Sequence, residues 1–321
     1  MDNQNKTRKE VENFRADILD CWRRLPNKGL FFALLAAWLI LFHFLGNATF
    51  GYLNTPSLLR WMYLAYSSGD GQDGHGNLIP FVVAGLFWWK RKELLALSLK
   101  IWWPALGLLA LALGLHVLGY LVQQPRVSII ALFVGIYGLM GLAWGPAWLR
   151  AGFLPFCLFA FCVPFGSLGE IITLPLRMLV SKISVGFSHG VLGIDVIREG
   201  SQIFDSRRSF QYEVAPACSG IRSLISLLAL TTIYGFVSFK AGWKRLLMMV
   251  VAVPLAVLGN VVRITGVIVV AEAFGQKAGT WFEQKFGFVT FAVAIACVLL
   301  LGHWLRERKA EPSLTLEAKP I

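Results

Sequence analysis

"LLMMVVAVPLAVLGNVVRITGVIVV", residues 246–270, holds a single charged side chain, Arg263, in an almost wholly apolar run. At about 1.5 Å of rise per residue, a helix of this length crosses a hydrocarbon layer of roughly 30 Å. Apolar stretches recur along the chain, whereas alternating segments of about ten residues, the mark of a membrane barrel, do not. Hydrophobic residues make up 56% and charged residues 15% of the sequence; a soluble domain carries about a quarter charged residues. The sequence therefore predicts an all-α, polytopic membrane helical bundle. Eight spans are expected, at about 29–47, 77–89, 101–122, 127–149, 151–166, 218–239, 246–270 and 286–305. The 77–89 and 151–166 spans are short, so tilting or a partly re-entrant path is open for both.

Lysine and arginine set the orientation, because they accumulate in loops that stay in the cytoplasm. With the N-terminus inside, the inner segments hold 19 Lys and Arg and the outer segments 9; Arg222 and Arg263 lie within spans. Both termini are expected in the cytoplasm of a multi-pass cytoplasmic (inner) membrane protein. This asymmetry accounts for the net charge of +12, so no nucleic-acid partner is read from it. Residues 1–28 read as a basic cytoplasmic lead, 29–305 as the transmembrane domain and 306–321 as a cytoplasmic tail. The polar lead lacks a small-residue cleavage site, and the first span reads as a retained anchor.

Two outer segments exceed simple connections. Residues 48–76 contain "SSGDGQDGHGN", flexible by its Gly and Ser content. Residues 167–217 open on the amphipathic stretch "EIITLPLRMLVSKISVGFSHGVLG", followed by "IDVIREGSQIF" and "SFQYEVA" around "DSRR", which predicts a hairpin. The two together form an expected roof over an outward-facing site.

Three chemically capable residues reach that face by topology. Cys218, in "APACSGIRSL", opens the sixth span from outside; helix N-terminal position and the cation Arg222 at i+4 both favour thiolate. No second cysteine lies in the outer loops to form a disulfide. Cys157, Cys162 and Cys297 read as small packing residues in spans, and Cys21 as a cytoplasmic thiol. Arg263 lies about 25 Å along the seventh span, near the outer leaflet. An arginine there is costly unless it is paired or faces water, which marks it as functional. Glu283, in "WFEQKFG", precedes the eighth span. Arg222 reads either as a functional cation near Cys218 or as a residue snorkelling to the interface. His75, in "GHGNLIP", and Glu283 each have a bland alternative as solvated boundary residues. His43, His116, His189 and His303 lack supporting context.

These pieces resemble the exosortase/archaeosortase family, multispanning cysteine transpeptidases that process proteins bearing a C-terminal sorting signal. The resemblance rests on "ACSGIRSL" around Cys218, "PLAVLGNVVRI" around Arg263, "HGNLIP" followed by a short span and "WWKRKELL", and the "IDVIREGSQIF" lead, in order over residues 70 to 300. One position departs from the family pattern: Glu283 in "FEQKFG" stands where these proteins usually have a histidine.

The resemblance implies Cys218 as nucleophile, Arg263 as stabiliser of thiolate and oxyanion, and an acid/base role that falls to Glu283 or to His75. An altered chemistry or an inactive relative are the remaining alternatives. It implies no metal and no cofactor. The partners it implies are membrane lipid and exported proteins whose tail has a short motif of PEP type, an apolar helix and a basic end. Gly259 and Gly266 on the seventh span are expected to let that helix approach, and Arg222 to pair with the motif's acidic residue. The rival classes are a transporter or channel, with Arg263 and Glu283 along an ion path, and a noncatalytic assembly factor for exopolysaccharide export. The sequence leaves the oligomeric state, the exact motif and the acceptor open.

Overall fold

The computed structural model describes residues 2–46, 55–67, 73–164, 167–200, 202–205, 211–213 and 221–305. The chain divides into two compact units, 1–166 and 167–321.

The first unit begins with helices α1 (Asp2–Arg24) and α2 (Lys28–Phe44). They meet at a bend of 91°. Pro26 cannot extend α1, and Asn27 takes a left-handed φ of 52°, which asparagine tolerates better than most residues. Both are tied to the far end of α7 (Pro125–Trp144): Asn27 Nδ2 donates to the Ala143 carbonyl at 3.0 Å and Trp144 Nε1 to the Pro26 carbonyl at 2.9 Å. The bend is therefore held at a fixed place on the bundle.

Between these elements lie α3 (Leu58–Tyr66), α4 (Ile79–Trp89), α5 (Arg91–Leu95) and α6 (Ala105–Leu121). α7 is the buried centre, packed by α2, α6 and α8 (Pro146–Cys157). A Cβ at Gly135 would fall 2.0 Å from the Trp38 ring, so only glycine lets α2 lie this close, and Trp38 Nε1 donates to the Leu132 carbonyl at 3.1 Å. His116, which lacked context in the sequence, has a structural task. Its Nδ1 pairs with Ser128 Oγ at 3.1 Å and its Nε2 with the Leu45 carbonyl at 3.0 Å, joining α6, α7 and the end of α2.

The second unit holds α9 (Ser167–Gly190), a small sheet, and α10 (Ile221–Ser238), α11 (Gly242–Phe274) and α12 (Gln276–Trp304). Strands β1 (Val196–Glu199), β2 (Gln202–Asp205) and β3 (Gln211–Glu213) are antiparallel in the order β1-β2-β3. The sequence predicts one hairpin between "IDVIREGSQIF" and "SFQYEVA". The structure folds "VIREGSQIF" into a hairpin by itself, with Glu199 opposite Gln202, and adds the second segment as a third strand. Gly200, at φ 65°, supplies the left-handed backbone of a two-residue turn. Val196 and Ile203 of the sheet pack with Val180 of α9 onto Ile264, Val267, Ile268 and Ala271 of α11, fixing the sheet at that end of the helix. The other end of α11 packs through Met248 and Ala252 on Leu227 of α10 and Val298 of α12.

The chain is a helical membrane protein. α7, α11 and α12 are long and apolar enough to cross a membrane, and the bent α1–α2 pair would make a fourth such span. Four shorter apolar helices fall on the other predicted spans: α4, α6, α8 with its 3-10 continuation to Cys162, and α10. Two boundaries move. The fourth and fifth spans part at Gly145 (φ 91°) and Pro146, not at Arg150, because a left-handed glycine followed by a proline at the next helix start interrupts the hydrogen-bond ladder that an apolar average does not see. The last helix starts at Gln276, ten residues before the predicted apolar run, since its first turns are polar.

Candidate active site

α11 and α12 form a close antiparallel pair joined at Gly275, whose φ of 83° allows the tight reversal. Glu283 therefore lies about two turns down α12 and Arg263 about three turns back along α11. The reversal brings them level. Arg263 Nη2 stands 3.7 Å from Glu283 Oε1, with the two side chains 17% and 18% exposed. The sequence set both residues near one membrane face; the structure makes them an ion pair within a helix pair. A cation at this depth has its countercharge from the adjacent helix, which lowers the cost of placing either in an apolar layer.

A cavity of about 40 Å³ opens beside the pair, where α10, α11 and α12 converge. Its walls include Leu227, Asn260, Arg263, Gly287 and Thr290. The Arg263 guanidinium lies against Gly287, where a Cβ would come within 3.5 Å of Cζ. On its other side Arg263 borders an apolar groove of about 290 Å³ between α11 and α12, rimmed by the exposed Leu258, Val262, Val289 and Val293. Gly266, expected to admit a substrate helix, is used differently: a Cβ there would lie 2.7 Å from the Phe282 ring, so the small residue admits α12's own phenylalanine. Phe282 stacks on Phe286 at 4.0 Å between centroids and closes that stretch of the interface. Gly259 lies opposite the Thr290 carbonyl, 3.7 Å from where a Cβ would sit, so a methyl group there meets no clash.

Cys218 lies in 214–220, outside the described residues. Arg222 falls in the first turn of α10, where the backbone alone is described. The described part of α10 begins at Ile221.

His75 belongs to the first unit. The sequence reads "SSGDGQDGHGN" as flexible; residues 68–72 of it lie outside the described residues, and Gly74–Asn77 is a 3-10 turn packed against α3. Gly76 abuts the Tyr66 ring, where a Cβ would come within 2.5 Å, Tyr66 Oη donates to the Cys162 carbonyl, and Cys162 Sγ approaches the Gly76 carbonyl at 3.8 Å. Burial pushes the Tyr66 phenol above its ordinary value, with Cys162 and Asp73 adding to the rise, so it remains a donor. Both His75 ring nitrogens are shut from solvent. The packing of the turn, and not glycine content, decides its order.

Asn260, in "PLAVLGNVVRI" three residues before Arg263, carries no charge to mark it in the sequence. Its signal was there: a primary amide in the middle of a membrane span needs a hydrogen-bonding reason to be present.

No curated protein and no solved structure matches the chain. The family model described as transmembrane exosortase matches residues 61–300, taking in most of α3, both described sides of the Cys218 segment, the Arg263–Glu283 pair and the groove between α11 and α12. On that coverage the chain belongs to the transmembrane exosortase family.

Proposed function

We propose that the protein is a membrane-embedded cysteine peptidase, and a transpeptidase where an acceptor is available, acting on the C-terminal sorting signal of exported proteins. The observation that carries this reading is the Arg263–Glu283 pair at a small cavity within the family-matched region, on two helices that follow the Cys218 segment in sequence.

In this reading the Cys218 thiolate attacks the scissile carbonyl carbon, forming a C–S bond as the carbonyl π pair moves to oxygen. Arg263 holds charge at the thiolate and at the oxyanion and keeps its proton throughout. Collapse breaks the C–N bond, and the leaving amine takes the proton that the Glu283 carboxylate accepted from the Cys218 thiol when the thiolate formed. An amine acceptor or water then releases the acyl group from sulfur. Arg222 and His75 are assigned to substrate contacts, Arg222 to an acidic residue of a PEP-type motif. The substrate's apolar tail helix runs beside α11 and α12, where exposed aliphatic side chains border the groove. Eight spans, both termini in the cytoplasm and the site facing the outside of the inner membrane complete the proposal.

The test uses an exported reporter with a C-terminal motif, apolar helix and basic end, expressed with the full chain. Wild type is expected to release the anchor, and Cys218→Ser to leave it in place at equal membrane level, since serine has no comparable anion at neutral pH. Processing by the serine variant at the wild-type rate overturns the proposal. Reporter fusions after residue 305 are expected to be active on the cytoplasmic side, and a periplasmic signal there overturns the orientation.

A further inference from the structure

Asn260 lies one helical turn before Arg263 on α11 and is 5% exposed, yet among the described residues its side-chain Nδ2 has no hydrogen-bond partner. It shares with Arg263 and Thr290 the walls of the 40 Å³ cavity, and no carboxylate among the described residues lines that cavity. Thr290 does not compete as a donor there, because its Oγ1 already donates to the Gly287 carbonyl at 3.1 Å. A volume of this size admits one or two small polar atoms, such as a carbonyl oxygen or a water, and excludes a side chain.

A buried amide with an unmet donor destabilises the fold, whereas an apolar residue of the same shape would not. A residue kept at that cost is expected to meet its acceptor only when something else enters the cavity. The cation beside it selects for an acceptor that is negative or becomes so.

Resting on the peptidase reading, the geometry points to Asn260 as a catalytic residue that donates its side-chain N–H to the carbonyl oxygen of the scissile peptide bond. As the C–S bond forms and the π pair moves to that oxygen, the Asn260 amide and the Arg263 guanidinium stabilise the new charge from two directions. When the carbonyl re-forms and the amine departs, both return to their starting state. Asn260 neither gains nor loses a proton. The leaving group's proton comes from the acid, so the amide's contribution is expected to be independent of pH.

Full-length wild type, Cys218→Ser, Asn260→Leu and Asn260→Ala are compared in proteoliposomes for release of the anchored reporter, for thermal unfolding, and for methanethiosulfonate labelling of the Cys218 peptide read by mass spectrometry. Asn260→Leu is expected to unfold at or above the wild-type temperature. In both Asn260 variants kcat should fall about 10²- to 10³-fold, the range for loss of one oxyanion donor. KM should stay within about threefold and Cys218 labelling within about twofold, as for a donor that acts after the thiolate is formed. Either variant cleaving within about threefold of wild type overturns the assignment. So does a loss confined to KM, or one that follows a lower unfolding temperature in Asn260→Leu, which would mark a packing role. If Cys218→Ser is inactive while Asn260→Leu is normal, Asn260 alone falls. If wild type leaves the anchor in place, or Cys218→Ser matches it, the peptidase reading and the Asn260 role fall together.

Discussion

The Arg263–Glu283 pair decides what substitutions at these two positions report. Each side chain is less than one-fifth exposed, so removing one leaves the other charge in a poorly hydrated place. Arg263→Ala is therefore expected to lower stability on the order of 2 kcal/mol, and Arg263→Ala combined with Glu283→Ala to recover part of it, as read from unfolding in detergent. Arg263→Lys keeps the charge but loses the planar fork, and cleavage is expected to remain within about tenfold of the alanine variant's rate; full activity with lysine would reduce the residue to a generic cation. Glu283→Gln is expected to remove most activity. Glu283→His, which introduces an ionisable group of ordinary pKa near 6.5, should retain some and move the pH profile toward that value. His75→Ala in the same assay gives the competing result: an inactive alanine variant beside a near-normal Glu283→Gln would transfer the proton to His75. A single charge in apolar sequence is conspicuous because its solvation cost is large, which made Arg263 legible, while Glu283 stood out only by its place before the last span and at the family's histidine position. Their pairing depends on how two helices reverse at Gly275, and no one-dimensional pattern carries that. Asn260 is neutral, and its missing hydrogen bond is a property of the packed helices, invisible until α10 and α12 close around it.

At the level of elements, hydropathy located the apolar parts of helices well and their ends poorly. The first turns of α12 are polar yet helical, because backbone hydrogen bonding continues past the point where side chains turn apolar. Gly145 and Pro146 end one span inside a continuously apolar run for the opposite reason. The third strand also needed more than alternation: β3 finds its place by pairing Ile203 with Tyr212 and Phe204 with Gln211, a register set by the β1-β2 hairpin that precedes it. The α11–α12 contact is the element most open to test. Gly266→Ala places a methyl carbon 2.7 Å from Phe282, whose ring is held by stacking on Phe286. Overpacking of this kind costs about 1–3 kcal/mol. Thermal unfolding should show the loss, and Phe282→Leu in the same chain should restore much of it. An unchanged unfolding temperature in Gly266→Ala would mean the two helices are spaced by other contacts.

For the molecule as a whole, membrane class and the family were both written in composition and in motifs spread over most of the chain, while the division into two compact units was not. That division follows from helix packing around α7 in one half and α11 in the other, which are long-range choices. α11, at 33 residues, is about 50 Å long. A membrane core of roughly 30 Å leaves such a rod either tilted or standing proud. Arg263 thus has no fixed depth of its own; the lipid acyl chains set it. Hydrophobic mismatch then becomes a control on rate. In vesicles of increasing acyl length, anchor release is expected to pass through a maximum and fall on the order of threefold to tenfold on either side, as thin bilayers lift the ion pair toward water and thick ones draw it below the level at which a peptide bond enters. A flat profile would show that the bundle carries its own local thickness with it. With a maximum, organelle-like sorting by bilayer thickness reaches this protein through the length of a single helix.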